Sequence, residues 1–292
     1  MKKIKKTHIY LDYNIYDRIA KEFIKDDILK NNNIKVHLSV GHAEEYYKAL
    51  KNNRNKENVE ILNRIFNEMI LLTPYGVLNP SKTKIINKNE KFQECINRVK
   101  LYDTRNIVVE HGKSLNKIQK ESVDSYMKKN NKVMNYSNLS SDEIWEQREI
   151  IEGLSKFTEY IEEYEETTFM QIAKLYGYRA ARDICNINYD GFEMKKDCYS
   201  SLQQNYKLLE CVIEYLHNLL SGCGYKRDKK ERTSISGIHD VQHSIYATYC
   251  DYFISEDKSF SKRASAIYNF LGIKTKIISF HEFEDIIKQY RI

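Results

Sequence analysis

Four acidic residues, Asp12, Glu45, Asp240 and Asp257, stand where hydrophobic segments end or helices begin. Asp12 closes the apolar run Ile9-Tyr10-Leu11, and Asp257 follows the run in DYFIS. Glu45 lies about one helical turn beyond IKVHLSV, and Asp240 sits in the helical pattern that precedes DYFIS. Carboxylates gathered at one place raise one another's pKa and oppose folding. Divalent cations relieve that repulsion, and an all-oxygen donor set selects hard ions such as Mg²⁺ or Mn²⁺. One or two ions so held can activate water and orient a phosphodiester, so the chemistry expected of the set is metal-assisted hydrolysis. Each acid also has a plainer use: Asp12, Asp240 and Asp257 as helix caps, and Glu44 and Glu45 as a solvated helix face.

The elements that must position these acids follow from periodicity. Ile9 to Leu11 read as a short strand, and from Ile15 the apolar positions Ile15, Ile19, Phe23 and Ile24 take helical spacing. IKVHLSV then reads as a second strand and GHAEEYYKALKN as a second helix. Near the C-terminus the alternation returns: a helix over 234–250, the strand DYFIS, a helix over 257–272, the strand TKIIS and a closing helix. Such βα units predict an α/β fold with a central parallel sheet and right-handed crossovers. Ligands of such sheets bind beyond the carboxyl ends of the strands, which is where the acids fall.

Between these ends the pattern is mainly helical, with candidates over 57–72, 91–127 and 140–184 and capping-box spacing at Ser140 and Glu143. TPYGVLNPS, 73–81, holds both prolines and reads as a turn or loop with a short strand. The expected organisation is therefore a core made of 1–57 and 225–292, with 58–224 as a large helical insertion packed on it.

Composition bounds the function classes. The 292 residues are 41% hydrophobic and 30% charged, as in a globular protein. No apolar stretch approaches the roughly 18 to 20 residues of a membrane span, and the basic N-terminus lacks the apolar core of a signal peptide, so a cytoplasmic location is expected. Six cysteines form no C-x-x-C pair, which argues for reduced, buried thiols. A formal charge of +6 permits a nucleic-acid partner without requiring one. The sequence has no nucleotide-binding Gly-rich loop.

The residues also carry a resemblance. IYLDYN resembles the opening of a PIN-like nuclease domain, whose first acid follows a hydrophobic strand. LSVGHAEEYYKAL is similar to the second motif, in which a strand-end Ser, here Ser39, precedes the acid, Glu45, by six positions. HDVQHSIYATYCDYFISEDKSF resembles the third, in which an Asp-bearing helix precedes a strand ending in an acid near a Ser or Thr; Asp240 and Asp257 match its two acids. His42 and His243 fit the HxxE and DxxH patterns of one PIN-like subgroup. The likeness covers about residues 7 to 52 and 233 to 292 and leaves the helical middle unmatched.

The resemblance implies a three-layer αβα fold, Mg²⁺- or Mn²⁺-dependent cleavage of RNA, less often DNA, and a toxin or defence context. Supporting roles are expected for Asn14 at a phosphate or water, His42 and His243 beside the acids, and Glu256 at a second ion. The basic loop Lys226, Arg227, Lys229, Lys230 and Arg232 would hold a nucleic-acid backbone. Asp251, at the N-terminal end of DYFIS and about 20 Å from Asp257 by strand rise, is expected to be structural. Two other readings stand beside the nuclease: a PIN-like protein that only binds or scaffolds, with the helical insertion contacting a protein partner, and a phosphohydrolase of small nucleotides.

Overall fold

The computed structural model describes residues 6–22, 28, 30–52, 55–74, 76–80, 84–88, 90–104, 136–162, 187–226 and 236–289. The chain opens with β1 (Thr7–Leu11), α1 (Tyr13–Glu22), β2 (Ile34–Ser39), α2 (Val40–Asn52) and α3 (Lys56–Leu72). Two short strands, β3 (Val77–Pro80) and β4 (Ile85–Lys88), lead to α4 (Phe92–Thr104). After a 3₁₀ turn at Glu143–Glu146 come α5 (Arg148–Ser155), the single turn α6 (Tyr199–Leu202) and α7 (Tyr206–Gly222). The described chain closes with α8 (Ser236–Ala247), β5 (Tyr252–Ile254), α9 (Lys258–Leu271), β6 (Lys276–Ile278) and α10 (Phe280–Gln289).

The six strands form one mixed, mostly parallel sheet in the order β4-β3-β2-β1-β5-β6, with only the β3–β4 pair antiparallel. The fold is thus α/β. One expectation needs correction: β3 and β4 fall inside the range 58–224 assigned to a helical insertion, yet they extend the core sheet. VLNP reads poorly as a strand because it is four residues long and ends on a proline, which the ladder tolerates at a strand end.

Both sheet faces are covered by helices, as the burial of parallel strands requires. Ile9, Leu11, Val36, Leu38 and Ile254 pack with α1, α3, α4 and α10. Tyr10 and Phe253, on the opposite face, pack with α7, α8 and α9. The alternation within β1 therefore sends its one aromatic residue to a different layer from its aliphatic neighbours. Ser140 and Glu143 do form a reciprocal capping box, each backbone N–H bonded to the other's side chain, although it opens the 3₁₀ turn and not a long helix.

Candidate functional site

Strand order fixes where a site can lie. The chain leaves β1 toward β2 and β3 on one side, and β5 and β6 occupy the other, so the order reverses at β1. A crevice opens at such a switch point, outside the carboxyl ends of the two strands that flank it. β1 ends at Leu11 and β5 at Ile254, and these two residues pair. The residues that follow them are Asp12 and Ser255.

Asp12 is 6% exposed. Its N–H donates to the Ile254 carbonyl at 2.9 Å, which stitches the two strand ends together. Its carboxylate accepts from the Tyr13 N–H at 2.7 Å and from the Ser255 hydroxyl at 3.0 Å. Burial nevertheless raises the carboxyl's pKa, with His243 opposing the rise and Glu45 adding to it.

Glu45 reaches the same place from the second turn of α2. It accepts from His243 Nε2–H at 2.6 Å. Gly41 allows this approach: a Cβ there would stand 3.2 Å from Gln242 Oε1 and 3.4 Å from the His243 ring, so a larger residue would press α2 away from α8. Asp240 lies inside α8, one turn before His243, and does not cap the helix. Burial, and then the charges of Asp12, Asp257 and Glu45, push its carboxyl up to about 7 in spite of His243. Those mutual shifts place the acids of four separate elements within electrostatic reach of one another.

Burial opposes charge on the fully enclosed His243, but Glu45, Asp12 and Asp240 outweigh it and carry its pKa up to about 9. His42 behaves in the opposite way. It is 0% exposed, its Nδ1 accepts from the Ser39 N–H at 3.1 Å, and its Nε2–H donates to the Leu11 carbonyl at 2.7 Å. That pair of bonds defines a neutral tautomer, and burial followed by the charge of His243 lowers its pKa to about 3. Neither ring is exposed enough to meet a phosphate; both support the groups that carry the acids.

Asp257 is exposed and caps α9, its Oδ1 accepting from the Phe260 N–H at 2.8 Å. Its own N–H donates to the Ser255 hydroxyl at 3.3 Å, so Ser255 links it to Asp12. The plain reading of Asp257 as a cap is thus realised, and its Coulombic effect on Asp240 is felt at the same time.

Other expected residues divide. Asn14 is exposed on the first turn of α1. Glu256 is turned to a structural task and not toward a second ion: its Oε1 accepts from the Phe280 N–H at 2.9 Å, at the start of α10, and from Arg18 at 3.2 Å. Asp251 accepts from the His8 N–H at 2.8 Å and joins β1 to β5 at the other sheet edge. Lys226 donates from Nζ to the Ser137 carbonyl at 2.5 Å, away from a backbone-gripping role. Arg227, Lys229, Lys230 and Arg232 lie outside the described residues.

Tyr10 and Ser255 belong to the site although neither was a candidate. Ser255 had a visible signal, two residues before Asp257 at a strand end. Tyr10 had a weaker one, a phenol in an otherwise aliphatic strand.

Four carboxylates, all acceptor-only when ionised, suit a hard divalent cation by donor chemistry, and the raised Asp240 carboxyl is the signature of a negative cluster. Among the described residues no group of three or more His, Cys, Asp or Glu is already arranged to hold a metal ion. No helix among them is long and apolar enough to cross a membrane. No protein-family model, curated protein or solved structure matches the chain.

Proposed function

We propose that this chain is a metal-dependent nuclease of the PIN-like class, hydrolysing phosphodiester bonds, in RNA before DNA, in the cytoplasm and in a toxin or defence setting. The observation that carries the reading is the meeting of Asp12, Glu45, Asp240 and Asp257 at the switch point of the sheet, with Asp240 driven up to about 7 by its neighbours. Asp12, Glu45, Asp240 and Asp257 would hold one or two Mg²⁺ or Mn²⁺ ions. A bound cation would supply charge neutralisation and a more acidic water. The chain's own part is to hold the carboxylates: Ser255 and the Tyr13 N–H orient Asp12, His243 orients Glu45, and the α9 cap orients Asp257.

A second reading has its own support. The acids are not preassembled into a metal group among the described residues, and Asp257 is engaged as a cap. A PIN-like protein that binds nucleic acid or a protein without cutting would tolerate both facts. The two readings part in one experiment, incubating purified protein with RNA and with DNA, with and without Mn²⁺, beside Asp12→Asn. The nuclease reading expects Mn²⁺-dependent cleavage that the substitution removes. Cleavage equal in both proteins, or binding of RNA with no cleavage at any Mn²⁺ concentration, would overturn it.

A further inference from the structure

Beneath the acidic edge runs a buried hydrogen-bond chain with a single phenol at its centre. Tyr10 is fully buried. Its hydroxyl lies 2.6 Å from Ser39 Oγ, 2.7 Å from His243 Nδ1 and 3.4 Å from His42 Nδ1. The protons can be followed from fixed donors. The Ser39 N–H occupies His42 Nδ1, so His42 carries its proton on Nε2 and gives it to the Leu11 carbonyl. Glu45 takes the proton of His243 Nε2. Ser39 Oγ accepts from the Gly41 N–H at 3.2 Å, which leaves the hydroxyl proton of Ser39 to face His42.

Packing alone would favour phenylalanine at position 10. Phe253 meets the ring edge-on at 5.6 Å, and an enclosed hydroxyl costs free energy unless it is bonded. Here the hydroxyl is bonded on both sides, and the two sides lead to different acids. One arm runs through Ser39 and His42 to the Leu11 carbonyl, the peptide group from which Asp12 hangs. The other runs through His243 to Glu45.

We propose that Tyr10 is a positioning residue whose hydroxyl couples the placement of Asp12 to that of Glu45, so that two acids on separate elements present themselves together to a divalent cation. The proposal rests on the reading of the acidic edge as a cation site. Residues in contact with the ligands of a metal typically govern affinity or activity by about 10–100-fold, and Tyr10 acts at one further remove on two ligands at once.

The test uses the full chain as wild type, Tyr10→Phe and Ser39→Ala, the latter removing the partner of the phenol while leaving the aromatic core whole. Mn²⁺ binding is read by calorimetry and by the Mn²⁺-induced rise in melting temperature, and cleavage of a labelled RNA is followed in parallel. The expected result is a Mn²⁺ affinity about 10-fold or more weaker in both variants, with KM for RNA unchanged and kcat recovered at raised Mn²⁺. In a double-mutant cycle the effect of Tyr10→Phe should shrink in a Glu45→Gln background and persist beside Asp257→Asn. If the melting temperature drops but Mn²⁺ affinity stays at the wild-type value in whichever variant folds, Tyr10 is only a core residue and the proposal falls. Wild-type protein that takes up no Mn²⁺ would instead overturn the cation site itself, and this inference with it.

Discussion

The two ends of the sheet use the same residue types to opposite effect. At the carboxyl edge, His42 and His243 stand beside Tyr10 on the face that α8 covers, with Glu45, Asp12 and Asp240 around them. At the amino edge, on the same face, His8 and His37 stack at 4.9 Å with Tyr249 edge-on to both and Asp251 adjacent. Three acids hold His243 in its charged form. His37 has none to answer it: burial, His8 and Lys35 lower its pKa to about 3, and its Nδ1 is enclosed without a hydrogen-bond partner. A pair of histidines beside an aromatic ring therefore says little by itself. What separates the two ends is the number of carboxylates delivered, and only the edge where strand order reverses receives acids from several elements.

The largest expected difference follows directly. Asp12→Asn should reduce cleavage by more than the roughly 100-fold that an outer substitution can cost, with the fold retained because Asn can still accept from Tyr13 N–H. Asp251→Asn should leave cleavage intact and lower stability by about 1–3 kcal/mol, since Asp251 serves the His8 backbone. Parallel activity assays and urea melts would check both halves. An Asp251 variant that also loses cleavage would break the division between the edges.

Titration sharpens the same contrast, because the edges pull stability in opposite directions with pH. His37 has a folded pKa of about 3, below its ordinary 6.5. Its contribution is complete above pH 6.5 and is lost as pH falls toward 3, because the unfolded chain takes up a proton that the folded chain refuses. His42 and His217, also lowered to about 3, act in the same sense. Asp240, with its carboxyl up at about 7, loses stability as pH rises from 3.8 to 7, and His243 loses its contribution as pH rises from 6.5 through about 9. Each group changes the slope by at most about 1.4 kcal/mol per pH unit. His37→Phe should therefore soften acid unfolding, whereas Asp240→Asn should raise the metal-free melting temperature at pH 8 and do little at pH 4. Mn²⁺ should stabilise the wild type at pH 8 and the Asp240 variant much less, as melts with and without the ion would show.

How much of this was legible in the residues depends on whether the signal was local. The strands β1, β2, β5 and β6 announce themselves as apolar runs, and each acid could be placed because strand ends and helix starts are neighbours in the chain. β3 and β4 carry no such signal: VLNP and IINK are too short and too mixed, and they become strands by pairing with β2 and with each other. The Tyr10 network is invisible for a different reason. It depends on register, which sets Tyr10 opposite His37 and brings Ser39 and α8 over the same face. Alternation alone could have put Tyr10, His37 and Ser39 on one side, but only the fold supplies His243 from 233 residues away. Glu256 misled because a carboxylate beside a proposed ligand reads as another ligand, whereas here it meets a helix that begins 24 residues later.

That misreading yields the smallest expected effect. Glu256 and Arg18 have side chains 42% and 38% exposed, and Arg18 also lies over the Phe280 ring at 4.3 Å. An exposed ion pair contributes at most about 1 kcal/mol, and a carboxylate at a helix N-terminus about 0.3–1 kcal/mol. Glu256→Gln keeps an acceptor for the Phe280 N–H and removes only the charge, so the melting temperature should fall slightly at low salt and not at all near 1 M salt, where charges are screened within about 3 Å. Cleavage and Mn²⁺ affinity should be unchanged, since Glu256 is turned toward α10. A loss of Mn²⁺ affinity in this variant would mean that the cation seat extends past Asp257 toward the start of α10, and the boundary drawn around the four acids would have to move with it.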